Sequence, residues 1–342
     1  MNNIIHRMRI PYFDIQEDFV LDAIRNGYLS TGPHLEQLKT ELCMLFQKRY
    51  AVLLLNAFSA MFITLKEMAN PASRILTAPI STCFSVINAI KAAGHLPVYA
   101  DIDIKSASIV ESQKYGKYTG AIVPDHFGII APACKTWRRK EGFLIEDAAQ
   151  AFISRAAIRT KADVVILSFY PTKIANGIDG GALLTDDEEL FEKITMSTSY
   201  TEQRKSEKIP RYNLQLSNLH AAFVLATLKK LEEIKNKLKE IYSTFGKILD
   251  NKNILYLKPK KGEVLWKLLI IASDNQTKSE WTKHFKVSGI ETSNELINIS
   301  EEKNMKSFPN AKELVEKSFS VPFHAGLNDK EVEEICQALT KL

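Results

Sequence analysis

The sequence predicts an α/β protein in which a large domain, carried on a mostly parallel, doubly wound sheet, precedes a smaller α/β domain. Three observations predict it. Short apolar runs alternate with helical patterns from residue 34 to residue 195, the pattern of strands joined by crossover helices. A chain of 342 residues is too long for one small core, which favours division into unequal units. Beyond residue 240 the alternation restarts with an apolar run over 264–272. The expected domains are therefore 1–240 and 241–342.

Taken in order, a helical pattern over 15–26 leads to Ser30-Thr31-Gly32-Pro33, and a helix over 34–48 follows, with Leu35, Leu38, Leu42 and Leu45 spaced to bury one face. A strand over 51–55 runs through Asn56-Ala57-Phe58-Ser59 into another helix. Small or hydroxyl residues at a helix start after a strand are a place where backbone N–H groups and the helix dipole hold a phosphate. Ser59 is the candidate ligand there, with a plain N-cap as the competing reading. Strand 75–79, helix 85–93 and the segment 95–103 come next. Strand 121–124 ends in Asp125-His126, either an acid/base pair or a hydrogen-bonded structural histidine. A helix over 131–140 precedes strand 143–147, and strands 164–167 and 182–185 precede a helix over 188–195.

After that helix the sequence turns polar over 197–208, which predicts a charged, mobile loop. One long helix is expected over 217–241, apolar in its first half and Lys/Glu-rich in its second. The smaller unit reads as strand 264–272, a helix over 279–287 and a final helix over 329–342.

Composition narrows the function classes. Lys and Arg exceed Asp and Glu by five, 45 against 40, but the basic residues are spread through helices, as on a solvated face rather than a nucleic-acid arm. No run reaches the ~18 apolar residues of a membrane helix, and the first residues show no secretory h-region. Cys43, Cys83, Cys134 and Cys336 lie far apart without a C-x-x-C pair, as expected of reduced thiols in a cytoplasmic protein.

Two stretches carry chemistry. Ala162–Gly181 reads ADVVILSFYPTKIANGIDGG: a buried strand delivers Ser168, then Lys173, to a sheet end, and Gly177, Gly180 and Gly181 turn the backbone into the next strand. Partial burial lowers a lysine's pKa and frees its amine to attack a carbonyl, so Schiff-base chemistry is the natural reading. Phe143–Gln150 reads FLIEDAAQ, another strand ending in a carboxylate. Asp147 suits a pyridinium nitrogen, which needs an anion beside it for the ring to act as an electron sink. The alternatives are a solvated loop lysine and a capping or ion-paired aspartate, and neither stretch alone decides.

Together, strand-Asp147-Ala-Ala-Gln150 followed by strand-Ser168 and Lys173 resembles the DegT/DnrJ/EryC1 family of pyridoxal phosphate-dependent sugar aminotransferases. The resemblance extends over nearly the whole chain: Ser30-Thr31-Gly32-Pro33, Pro97-Val98-Tyr99-Ala100-Asp101-Ile102-Asp103, Tyr212-Asn213-Leu214-Gln215, and the closing Ser320-Val321-Pro322-Phe323-His324. It implies the type I PLP-transferase fold and a homodimer with shared active sites. The implied reaction moves an amino group from an amino acid donor, usually glutamate, to a keto group on a nucleotide-linked sugar, in polysaccharide or glycosylated-metabolite synthesis.

Carried over residue by residue, the resemblance gives Lys173 the covalent hold on pyridoxal 5′-phosphate and the proton transfers, Asp147 the ring nitrogen, and Gln150 the ring or its 3-hydroxyl. Ser59, Ser168 and, from the neighbouring subunit, Asn213 would bind the phosphate. Three positions depart from the family's pattern. Phe58 stands where a glycine is usual, adding bulk and resisting positive φ. Cys83 replaces the aromatic residue that stacks on the ring, unless Phe84 shifts to supply it. Gln215 replaces a basic residue. These departures leave open a drifted member that binds a nucleotide sugar or a protein partner without catalysis. Sugar dehydration on the same scaffold is disfavoured by Lys173, since members that do it typically carry histidine there.

Overall fold

A computed structural model describes residues 4–10, 14–109, 117–138, 142–198 and 211–342. Strands β1 (Tyr50–Leu54), β2 (Arg74–Thr77), β3 (Ile80–Ser81), β4 (Leu96–Tyr99), β5 (Gly120–Pro124), β6 (Phe143–Asp147), β7 (Val164–Ser168) and β8 (Gly181–Thr185) follow in chain order. All but β3 form one seven-stranded sheet in the order β1-β8-β7-β6-β5-β2-β4. β2, β4, β5, β6 and β7 pair in parallel, and β8 runs against both β7 and β1. The expected mostly parallel α/β architecture is the one observed.

Helices cover both faces of this sheet, so its central strands are apolar on both sides. Leu144 and Ile145 of β6 and Val164–Leu167 of β7 are fully buried, each contributing about 1.5–3 kcal/mol against the exposed state. One face packs Leu144, Val165 and Leu167 with Leu38, Leu42 and Phe46 of the helix Pro33–Phe46. The other packs Ile145, Val164 and Ile166 with Met61 and Ile63 of the helix Ala57–Met68.

In the C-terminal part, β9 (Leu255–Tyr256), β10 (Leu268–Ile271) and β12 (Ser318–Val321) form an antiparallel sheet, while β11 (Ile297–Asn298) crosses over to pair with β3. The expected boundary at 240/241 falls inside the helix Leu231–Asn251, so a rigid helix makes that passage. The first residues also return to the C-terminal part, where Ile5 bridges Ile290.

Four elements differ from the sequence reading. The helix expected over 131–140 is a single turn, Pro132–Thr136, ended by extended backbone at Trp137, whose indole N–H donates to Gly142 O at 3.0 Å; Lys140 lies outside the described residues. The single helix expected over 217–241 is two, Asn218–Lys229 and Leu231–Asn251, parted at Lys230. The first is buried nearly all round and pinned where Thr227 Oγ1 donates to Asn176 O at 2.9 Å. The second is amphipathic, with Ile234, Leu238, Ile241, Phe245 and Leu249 inward, and burying these different faces forces the break. The apolar run 264–272 is a strand only over β10, because 264–266 bond instead to 127 and 154. Of the polar stretch 197–208, Ser197 and Thr198 form the end of the helix Glu188–Thr198, and 199–208 lie outside the described residues.

Candidate active site

Parallel strands present their carboxyl ends to one crevice, and the key side chains stand there. Asp147 is the last residue of β6, in register with Pro124 of β5 and Ile166 of β7. Its backbone carbonyl accepts from Asp125 N at 2.9 Å, and its Oδ1 accepts from Ala149 N at 3.1 Å. One strand over, the chain leaves β7 in a closed turn: Phe169 N donates to Gly180 O at 2.8 Å, Gly177 N to Phe169 O at 2.7 Å, and Lys173 N to Tyr170 O at 2.8 Å. Gly181 is required where the chain re-enters the sheet, since a Cβ there would collide with the Asn56 backbone.

The crevice encloses about 650 Å³, and Lys173, Asp147, Gln150, Ser168, Phe58 and Cys83 all line it. Gln150 spans its floor, with Oε1 accepting from Phe127 N at 2.9 Å and Nε2 donating to Thr82 Oγ1 at 2.5 Å. Phe58 lies in the first turn of the helix Ala57–Met68 with ordinary helical backbone, so this position does not demand the positive φ a glycine would supply. Cys83 faces the crevice, while Phe84 is 53 % exposed and outside the lining; it does not shift in to replace an aromatic.

Two candidates stand apart. Ser59 is buried behind the lining, and its N–H and hydroxyl both donate to Asn56 Oδ1 at 2.9 Å. The N-cap is Asn56, which corrects both readings of Ser59: as the cap, and as a hydroxyl facing the crevice. From this helix Ala57, Phe58 and Met61 line it, and the N–H groups of Ala57 and Phe58 have no intrahelical acceptor by helix geometry. Asn213 lies exposed beyond the crevice of its own chain, between Tyr212 and Leu214.

Burial dominates the electrostatics. It pushes the Lys173 amine below its ordinary pKa, with Cys83 and Asp147 pulling the other way. It raises Asp147, opposed by the Ala149 N–H and by Lys173. Asp125, 1 % exposed, is pushed up from its ordinary pKa by burial and then by Glu146. Glu146 keeps its ion pair with Arg155 at 2.7 Å. Asp125 Oδ2 and Glu146 Oε1 are both buried without a hydrogen-bond partner among the described residues. His126 donates from Nδ1 to Ala107 O at 2.7 Å, because a carbonyl only accepts, and this leaves Nε2 as a bare acceptor. Burial holds its pKa down to about 4. The hydrogen-bonded histidine is therefore the reading the geometry favours.

Sequence reasoning missed the far wall. Trp266, Lys267 and Glu295 line the crevice from the C-terminal part. Trp266 N donates to Phe127 O at 2.8 Å and its indole N–H to Thr172 O at 2.9 Å, which sets the ring 4.2 Å from Lys173 Nζ. The one available signal was a lysine inside the apolar run VLWKLLII; nothing marked Glu295.

An amine and a carboxylate sharing one crevice at the carboxyl ends of a parallel sheet define an enzyme-type site for carbonyl–amine chemistry. The chain belongs to the DegT/DnrJ/EryC1/StrS aminotransferase family, whose model matches residues 14–340. It is 29% identical to the spore coat polysaccharide biosynthesis protein SpsC of Bacillus subtilis (strain 168), over 95% of this chain and 93% of that one. Its fold is that of Spr1654 from Streptococcus pneumoniae in its PLP-form, with a TM-score of 0.86, 17% identity, and 99% and 98% of the two chains covered. It is likewise that of the sugar aminotransferase CalS13 from Micromonospora echinospora, with a TM-score of 0.83, 14% identity, and 99% and 100% covered. Aminotransferases of this family bind pyridoxal 5′-phosphate. The donor set fits that group: an amine for its aldehyde, an anion for its ring nitrogen, an amide and a helix N-terminus for its oxygens.

Proposed function

We propose that this protein is a pyridoxal phosphate-dependent aminotransferase that moves an amino group from an amino acid, glutamate in the first instance, to a keto group of a nucleotide-linked sugar. The observation that carries it is the convergence of Lys173 and Asp147 on one crevice of about 650 Å³, with family membership supporting the reaction class. The match to a polysaccharide biosynthesis protein and the fold of a sugar aminotransferase support the sugar acceptor.

When bound, the cofactor supplies an aldehyde for amines and a ring that accepts the electron pair of a deprotonated carbon. The chain's own residues do the rest. Lys173, its pKa lowered by burial, would hold the cofactor and, once free of it, would carry a proton at its Nζ. Asp147 holds a proton on the ring nitrogen. Gln150 orients the ring through its amide, Ser168 and the N–H groups of Ala57 and Phe58 bind the phosphate, and Cys83 and Trp266 bound the ring's space. Asn213, exposed in its own chain, reaches the phosphate of a partner subunit in a cytoplasmic homodimer.

Purified protein incubated with pyridoxal phosphate should turn yellow, and borohydride should fix the cofactor to the chain. Mass spectrometry should place the adduct on Lys173, and Lys173→Ala should lose both adduct and turnover while melting as the native protein does. A colourless protein, or an active Lys173→Ala variant, overturns the proposal.

A further inference from the structure

We infer that Lys267 receives the α-carboxylate of the amino donor and so selects α-amino acids over simple amines. This rests on the aminotransferase reading above and names the residue that meets one of its substrates.

Lys267 is only 7 % exposed, yet it lines the crevice. Its Nζ lies 2.6 Å from Glu295 Oε1, its one hydrogen-bond acceptor among the described residues, and an ammonium has three N–H donors. Two donors of this ammonium are therefore available to a ligand, with burial lowering its pKa and Glu295 opposing that shift. The charge is held in place on both sides: Glu295 is anchored by Ser320 Oγ at 2.8 Å, and the preceding Trp266 by its bonds to Phe127 and Thr172. A buried ion pair adds little net stability over an apolar pair of similar volume, so its contribution here is the positioned charge rather than the fold.

The position identifies the ligand group. Lys173 Nζ and Lys267 Nζ lie 4.2 and 4.9 Å from the centroid of the same Trp266 ring, so one aromatic ring borders both nitrogens. An α-amino acid carries its carboxylate on the carbon that bears the reacting amine, and a charge-assisted hydrogen bond of about 2.8 Å brings that carboxylate to a cation that borders the same ring as Lys173. The phosphates of a nucleotide-linked sugar are separated from the keto carbon by part of the hexose ring and lie further out. Arg7, at the same wall but half-exposed and bonded to Ser293 Oγ at 2.6 Å, is the outer cation.

The test uses the cofactor-loaded full chain and two amines that differ only by that carboxylate, L-glutamate and 4-aminobutyrate. Loss of cofactor absorbance follows the first half-reaction. In Lys267→Met the half-saturating glutamate concentration should rise about 10-fold or more, while the response to 4-aminobutyrate stays the same; calorimetry with 2-oxoglutarate reads the same contact without turnover. Lys267→Met leaves Glu295 unpaired, so the double variant Lys267→Met/Glu295→Gln is made beside it and should show the same donor-selective loss. An unchanged glutamate response in the folded variants, or equal losses for both amines, overturns the inference and leaves the function standing. A native protein that reacts with neither amine overturns the function and the inference together.

Discussion

Replacing Gly128 with alanine should disassemble the far wall of the crevice. Gly128 has φ +95°, and an added Cβ would collide with Val264 O and lie 2.8 Å from Trp266 N and 2.9 Å from Leu265 Cα. All three are backbone atoms, so no rotamer relieves the overlap and 264–266 must move. That movement strains Trp266 N to Phe127 O at 2.8 Å and Val264 N to Ser154 Oγ at 2.8 Å. Positive φ at a non-glycine residue costs on the order of 1–3 kcal/mol, and each weakened hydrogen bond about 1 kcal/mol. A total of about 3 kcal/mol corresponds, at this length, to a melting temperature lower by about 4 °C. Because Trp266 flanks Lys173, half-saturation with pyridoxal phosphate should also shift to higher concentration, together with a change in tryptophan fluorescence. Circular dichroism melts and a cofactor titration measure both. A variant that melts and loads like the native protein refutes the idea that 127–128 sets the position of Trp266.

Two further outcomes follow from the site. Asp147→Asn keeps the size and the Ala149 contact but removes the charge, so the protein should still form the borohydride-fixed adduct while the glutamate half-reaction slows about 100-fold or more; single-turnover rates check this, and a rate within a few-fold of native refutes the role. His126 is held neutral to about 4 in the fold against about 6.5 unfolded, so below the unfolded value the unfolded chain binds a proton that the native one does not. Its contribution is present at neutral pH and is lost as pH falls through that window, about 2 kcal/mol between pH 7 and pH 5. In denaturant titrations His126→Gln should show a shallower acid loss than the native protein, and parallel curves would refute it.

What was legible in the sequence was local. β6 and β7 could be read because each carries an apolar run, FLI and VVIL, and Asp147 and Lys173 because they come two and six residues after those runs. Their convergence was legible too, since adjacent parallel strands end at one crevice. The cap at residue 56 was misread because Asn56 and Ser59 are both good cap residues, and only the backbone conformation at Asn56 decides between them. The split at Lys230 was hidden because helical periodicity carries through it, while the faces to be buried are set by neighbours remote in sequence.

The sequence by itself determined the alternation of strands and helices, the two chemical side chains at strand ends, and the reaction family they resemble, because each depends on residues within a few positions of one another. Only the tertiary structure decided that Trp266, Lys267 and Glu295 line the crevice, and that Asp125 and Glu146 are buried together. Those outcomes depend on contacts between residues remote in sequence or on adjacent strands, and on the pKa shifts that burial imposes.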